Sequence, residues 1–225
     1  MLKRTVVGLI LVIVLLAVTL WAPQFVLALF VSVLSAIAVN EFLFNTSLVK
    51  GGRLRLYTAV MAFLVPLWCY FGCNNVAALI SIIAFYMLLV SELLVAKTKL
   101  PFSQIGLCMV AGLLIPYLFS SLVRISLVDH GRYFIMLPFT VAFMTDIGAY
   151  LIGISIGKHK LCPVVSPKKT VEGFFGGIAF AIMGTVGYAV VLQTCFGFQV
   201  NYFFAAVYAV VGSLAGVMCD LSLFP

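Results

Sequence analysis

Eight apolar stretches, each of about 17–25 residues, follow one another with only short loops between them, and this recurrence leaves the chain few folds to choose from. They cover residues 5–21, 24–44, 57–73, 76–96, 104–123, 133–157, 171–193 and 201–219. A helix of that length rises roughly 30 Å, the thickness of a bilayer's hydrocarbon core. Backbone in lipid must satisfy its own hydrogen bonds, and continuous rather than alternating apolar runs argue for helices over a barrel. With 65% hydrophobic and 8% charged residues, the chain lacks the polar surface of a soluble globular domain. The expected fold is an all-α, polytopic integral membrane bundle, one membrane-embedded domain over residues 1–225. The start, Met1-Leu-Lys-Arg4 before an apolar run, looks like a signal peptide. The run passes into Pro23 without a small-x-small cleavage site, so an uncleaved first helix is expected.

The loop charges set an orientation. If the N-terminus is cytosolic, that side holds Lys3, Arg4, Lys50, Arg53, Arg55, Lys97, Lys99, Lys158, Lys160, Lys168 and Lys169. Only Arg124 and Arg132 remain for the other side, a bias that favours both termini in the cytosol. The net charge of +7 reads as this orientation signal first, and nucleic acid is not an expected partner. The six cysteines form no CxxC and lie mostly in apolar runs, so they read as packing residues.

Against this background one loop stands out. Residues 158–170 carry four lysines, and the span before them carries Asp146. Eleven residues of helix separate Asp146 from Gly157, roughly 16 Å, which puts a carboxylate deep in the membrane. Such a residue is a functional candidate; the alternative is a structural carboxylate bonded to a neighbour, with Tyr150 one turn away. Ser166-Pro167 suits an N-cap and first helical position, and Thr170 is a second choice of cap. Either choice brings Lys168 and Lys169 to the start of the seventh span, where free N–H groups and the helix dipole attract phosphate. The plainer reading is a loop that only sets topology. Glu41 and Glu92 are weaker candidates, as ligands or interfacial carboxylates. Gly153/Gly157, Gly173/Gly177 and Gly212/Gly216 are spaced for close helix packing. That packing would bring Asp146, the lysine loop and Asp220 together. Lysines beside carboxylates suit a nucleotide with its magnesium.

The string Thr145-Asp-Ile-Gly-Ala-Tyr150, Gly153, Gly157-Lys-His-Lys-Leu161, Ser166-Pro-Lys-Lys-Thr170, Glu172-Gly173 and Gly176-Gly177 resembles the phosphatidate cytidylyltransferase (CDP-diacylglycerol synthase) family. The likeness continues to Gly212-Ser-Leu-Ala-Gly216 and Asp220-Leu221, and more loosely to Lys3-Arg4 and Glu41. It implies an integral membrane enzyme that joins CTP and phosphatidic acid into CDP-diacylglycerol and pyrophosphate, with Mg2+ as cofactor and the lipid bilayer as surroundings. It implies Lys168, Lys169 and Asp220 as catalytic, Ser166 and Thr170 as substrate-binding, and Asp146 and Asp220 as metal ligands. The inner cell membrane, with the active face cytosolic, is the expected location, and a homodimer one expected assembly. The family pattern has glycine where this chain has Cys219, and it continues past Asp-Leu into a Lys-Arg pair, a His-Gly-Gly and an Asp-Arg-x-Asp. None of these precedes Pro225, so the resemblance implies a chain without the C-terminal signature, whose activity is in question. The rival readings are a transporter with an intramembrane Asp site and a CTP-dependent lipid kinase.

Overall fold

A computed structural model describes residues 17–45, 49, 51–72, 75–95, 101–162 and 166–222, with backbone alone at 45, 75, 167, 168 and 220–222. Among the described residues seven helices are long and apolar enough to cross a membrane. They are α1 Gln24–Asn45, α2 Gly52–Phe71, α3 Asn75–Val95, α4 Phe102–Ser126, α5 Met136–Ile156, α6 Val171–Phe196 and α7 Tyr202–Ser222. They correspond to the second through eighth expected spans, so the chain is an all-α membrane bundle. The first expected span, 5–21, lies outside the described residues except for its end, where 17–21 are helical.

The helix ends shift from their expected places for a plain reason. A helix does not stop where hydrocarbon stops, and α2 begins five residues before the expected 57, taking Arg53 and Arg55 into its first turns. It ends at Gly72, which adopts the left-handed conformation (φ 56°) and donates its N–H to the Trp68 carbonyl.

The chain divides into two compact units, Met1–Arg132 and Tyr133–Pro225. The first holds α1–α4 around a core that includes Val39, Leu43, Leu54, Met61, Phe85, Leu89, Ile105 and Cys108. Small polar residues join its helices: Ser35 Oγ donates to the Ala62 carbonyl at 2.6 Å, and Thr58 packs where a Cβ on Gly112 would meet its methyl at 2.9 Å. Glu92 accepts from Tyr57 Oη at 3.2 Å and lies 3.7 Å from Arg53 Nη1, so this carboxylate is spent inside the unit. Glu41 is exposed.

The second unit holds α5–α7 and a β-hairpin between α5 and α6. Strand β1, Lys160–Cys162, pairs antiparallel with β2, Ser166–Thr170; Lys160 lies opposite Thr170 and Cys162 opposite Ser166. α5 and α6 meet along small residues. A Cβ on Gly176 would lie 2.5 Å from Ile152 Cβ, one on Gly177 2.9 Å from the Thr145 carbonyl, and one on Gly148 2.7 Å from the Gly176 carbonyl. Such approach leaves no room for side chains and is how helices associate where lipid is as apolar as leucine. Outward faces carry large apolar residues such as Ile154, Phe175 and Phe203, each more than 60% exposed, a surface suited to acyl chains and not to water.

Candidate active site

The hairpin is built from its last residue. Thr170 caps α6, its Oγ1 accepting from Gly173 N at 3.1 Å. Ser166 is therefore not the cap: Ser166-Pro167 lies in the extended strand β2, and the first helical residue is Val171. Pairing with β1 satisfies this backbone as an extended segment. A capped turn at Ser166 would leave Lys168 and Lys169 as a charged first turn directly before the apolar run. The helix-start cradle of free N–H groups is corrected with it. Val171 N donates to the His159 carbonyl at 2.9 Å and Gly173 N to Thr170, so two of the first donors are already used.

A second fastening crosses the hairpin. Glu172, in the first turn of α6, accepts from the His159 backbone N at 3.2 Å with both carboxylate oxygens, and its Oε1 lies 2.7 Å from His159 Nδ1. Gly157 permits the approach, because a Cβ there would meet Thr170 Oγ1 at 2.7 Å. The sequence placed His159 and Glu172 in the family-like string but gave neither a role. The available signal was an acidic residue two places after a threonine cap, with a histidine in the same short loop.

The hairpin and the three helices enclose a cleft of about 550 Å³, a size that suits a small-molecule site. Asp146 lines it from α5, Lys160 from β1, Lys169 and Thr170 from β2, Gly173 from α6 and Val217 from α7. The structure therefore brings Asp146, Lys169 and Thr170 to one place and adds Lys160. Tyr150 lines the same cleft. Ser166 is half-buried in β2 opposite Cys162 and lines no described cleft. The side chains of Lys168 and Asp220 lie outside the described residues. Their backbones are in β2 and α7, and Asp220 follows Cys219, which lines a second cleft beside Asp146.

Small residues make the cleft. Ala149, Gly153 and Gly173 form part of its wall, so bulk is absent where α5 and α6 approach. The glycine pairs thus have different uses. Gly212 packs, since a Cβ would meet Val141 Cγ1 at 2.9 Å, whereas one on Gly216 would meet nothing within 4 Å. Gly216 is therefore not the packing residue its spacing suggested.

Chemically the cleft offers one carboxylate and two ammonium groups against apolar walls, an arrangement that attracts phosphate and can share a divalent cation with it. No group of three or more His, Cys, Asp or Glu side chains is gathered among the described residues. A magnesium site needs no such cage, since Mg2+ is commonly held by one or two carboxylates together with water and substrate phosphates. Asp146 fits that donor set.

Comparison with known proteins shows the family. The Cytidylyltransferase family profile matches residues 2–223. A phosphatidate cytidylyltransferase of Staphylococcus aureus (strain COL) is 35% identical over 179 residues, which are 78% of this chain and 66% of the relative. That of Staphylococcus epidermidis (strain ATCC 35984) is 29% identical over 205 residues, 87% of this chain and 74% of the relative. That of Staphylococcus saprophyticus is 29% identical over 229 residues, 97% of this chain and 82% of the relative. The matched region thus spans just under two thirds of the length of the S. aureus relative.

Proposed function

The chain belongs to the cytidylyltransferase family, and from that premise we propose that it transfers the cytidylyl group of CTP to phosphatidic acid, giving CDP-diacylglycerol and pyrophosphate. The observation that supports this reading most is the convergence of Asp146, Lys160 and Lys169 on one cleft of a membrane-embedded unit. A water-soluble triphosphate and a lipid phosphate can meet there without either leaving its own solvent.

In the reaction, a phosphate oxygen of phosphatidate attacks the α-phosphorus of CTP. A new P–O–P bond forms, the bond to the β-phosphate bridge breaks, and pyrophosphate leaves with its electron pair. Such transfers depend mainly on positioning and on charge already in place. Lys160 and Lys169 would hold phosphate oxygens, one from each strand of the hairpin. Thr170 would fix the strand end from which Lys169 projects. Ser166 and Lys168 are assigned to the same phosphate-binding strand. Asp146, with Asp220, would hold magnesium, whose charge offsets that of the phosphates when it is bound. The inner cell membrane, with the hairpin at the cytosolic face, is the matching location.

The test is release of pyrophosphate by the protein in liposomes that contain phosphatidate, with CTP supplied outside. Turnover should require both substrates, stop with EDTA and return with Mg2+. Uptake of a solute without pyrophosphate would favour a transporter, and formation of CDP with a polyprenol in place of phosphatidate would favour a lipid kinase.

A further inference from the structure

Asp146 does not belong to one cleft only. A second cleft, of about 370 Å³, shares Thr145, Asp146 and Val217 with the first and runs away from the hairpin between α5 and α7. Its α5 wall extends from Asp146 to Pro138, about 12 Å of helix, and its α7 wall from Cys219 to Tyr208, about 16 Å. Away from Asp146 the walls are mostly small or apolar: Val141, Ala142, Gly212, Gly216 and Val217. The two clefts therefore differ in character. One has lysines and lies under the hairpin; the other is a long, narrow, largely apolar slot that begins at the same carboxylate.

Two glycines of α7 border the slot in different ways. Gly212, one turn earlier, is held against Val141, so that turn of α7 is in close helix contact. At Gly216 a Cβ would project into open space, and the residue still lines the slot. This turn of α7 is therefore not in close helix contact, although it borders the same slot as Asp146.

We propose that this slot takes one acyl chain of the lipid substrate, and that Gly216 determines which chains enter it. The inference rests on the reading of phosphatidate as substrate. A phosphate held at Asp146 and the lysines places the glycerol beside the junction of the two clefts. A chain that leaves that junction along α5 and α7 runs away from the lysines, between walls that carry no basic residue. Chain burial is then continuous with headgroup binding, and a bulky residue at 216 obstructs the slot where the chain enters.

The test uses phosphatidate with a photoactivatable diazirine at the end of one acyl chain, in phosphatidylcholine liposomes. Adducts are mapped by mass spectrometry, and diazirine-labelled phosphatidylcholine serves as comparison. Phosphatidate adducts should concentrate on residues 138–146 and 208–219, while phosphatidylcholine adducts spread over the lipid-facing helices. Gly216→Leu should reduce slot adducts several-fold, and so should Ala142→Leu from the opposite wall. Gly187→Leu should leave them unchanged, because Gly187 is equally open but lines neither cleft. Thermal melting in detergent identifies any variant that fails to fold. Phosphatidate adducts distributed like those of phosphatidylcholine, or unchanged in folded Gly216→Leu and Ala142→Leu, overturn the proposal. Pyrophosphate release is measured on the same samples. Release without slot adducts rejects the slot alone, and slot adducts without release reject the reaction alone.

Discussion

At the scale of single residues, similar types of side chain have unlike environments. Glu92 is taken up by Tyr57 and Arg53, and Glu172 by His159, while Asp146 lies where two clefts meet. Asp146→Asn keeps the shape of the cleft and removes its charge. It should reduce pyrophosphate release by roughly two to three orders of magnitude, as loss of one preorganised charge-stabilising group does elsewhere. Lys169→Ala should act similarly, with part of the loss recovered in Lys169→Arg, because the guanidinium still supplies charge but is differently shaped. The assay is the CTP- and phosphatidate-dependent one, and full activity in either uncharged variant would remove that residue from the site. Asp146 and Lys169 were legible in the sequence, since a carboxylate inside an apolar span is costly and lysines in a tight loop are conspicuous. Lys160 was visible as part of the charged loop, but nothing in spacing alone separated it from Lys158.

At the scale of elements, the hairpin and the α5–α6 seam form the walls of the first cleft. Thr170→Ala removes the α6 cap and should cost about 1 kcal/mol. It should also lower activity more than that loss explains, because the cap fixes the strand that presents Lys169. Comparing melting temperature with turnover separates the two effects. Gly176→Ala would place a methyl against Ile152 and should destabilise by roughly 1–3 kcal/mol, whereas Gly216→Ala should be close to neutral in a thermal melt. Equal melts for these two variants would contradict the distinction between a packing glycine and an open one. Glycine spacing announced close approach at Gly216, and at Gly173 and Gly177 on either side of Gly176, but not at Gly176 itself. It did not say which neighbour, if any, stood opposite. The hairpin was missed because Ser-Pro is as compatible with an extended strand as with a helix start, and the choice was made by β1, a partner strand too short to announce itself.

At the scale of the whole molecule, the separation of basic residues predicts a topology. Trypsin should cut near Lys158 and Lys160, both exposed, in inverted membrane vesicles and not in right-side-out ones. Cleavage there from the outer face would reverse the orientation and put the lysine hairpin away from cellular CTP. The family relation agrees with the rest of this scale, since the profile runs through both compact units.

The sequence by itself determined the class of solvent, the helical character of the spans and the family. These follow from apolar length, loop charge and motif strings, all local properties of the chain. Tertiary structure alone decided that Ser166 lies in a strand, that Glu172 reaches His159, that Lys160 shares a cleft with Asp146, and that Gly216 borders open space. Each of these depends on which residue of another element stands opposite. That pairing is set by how closely α5, α6 and α7 approach, a quantity that no periodicity along one chain encodes.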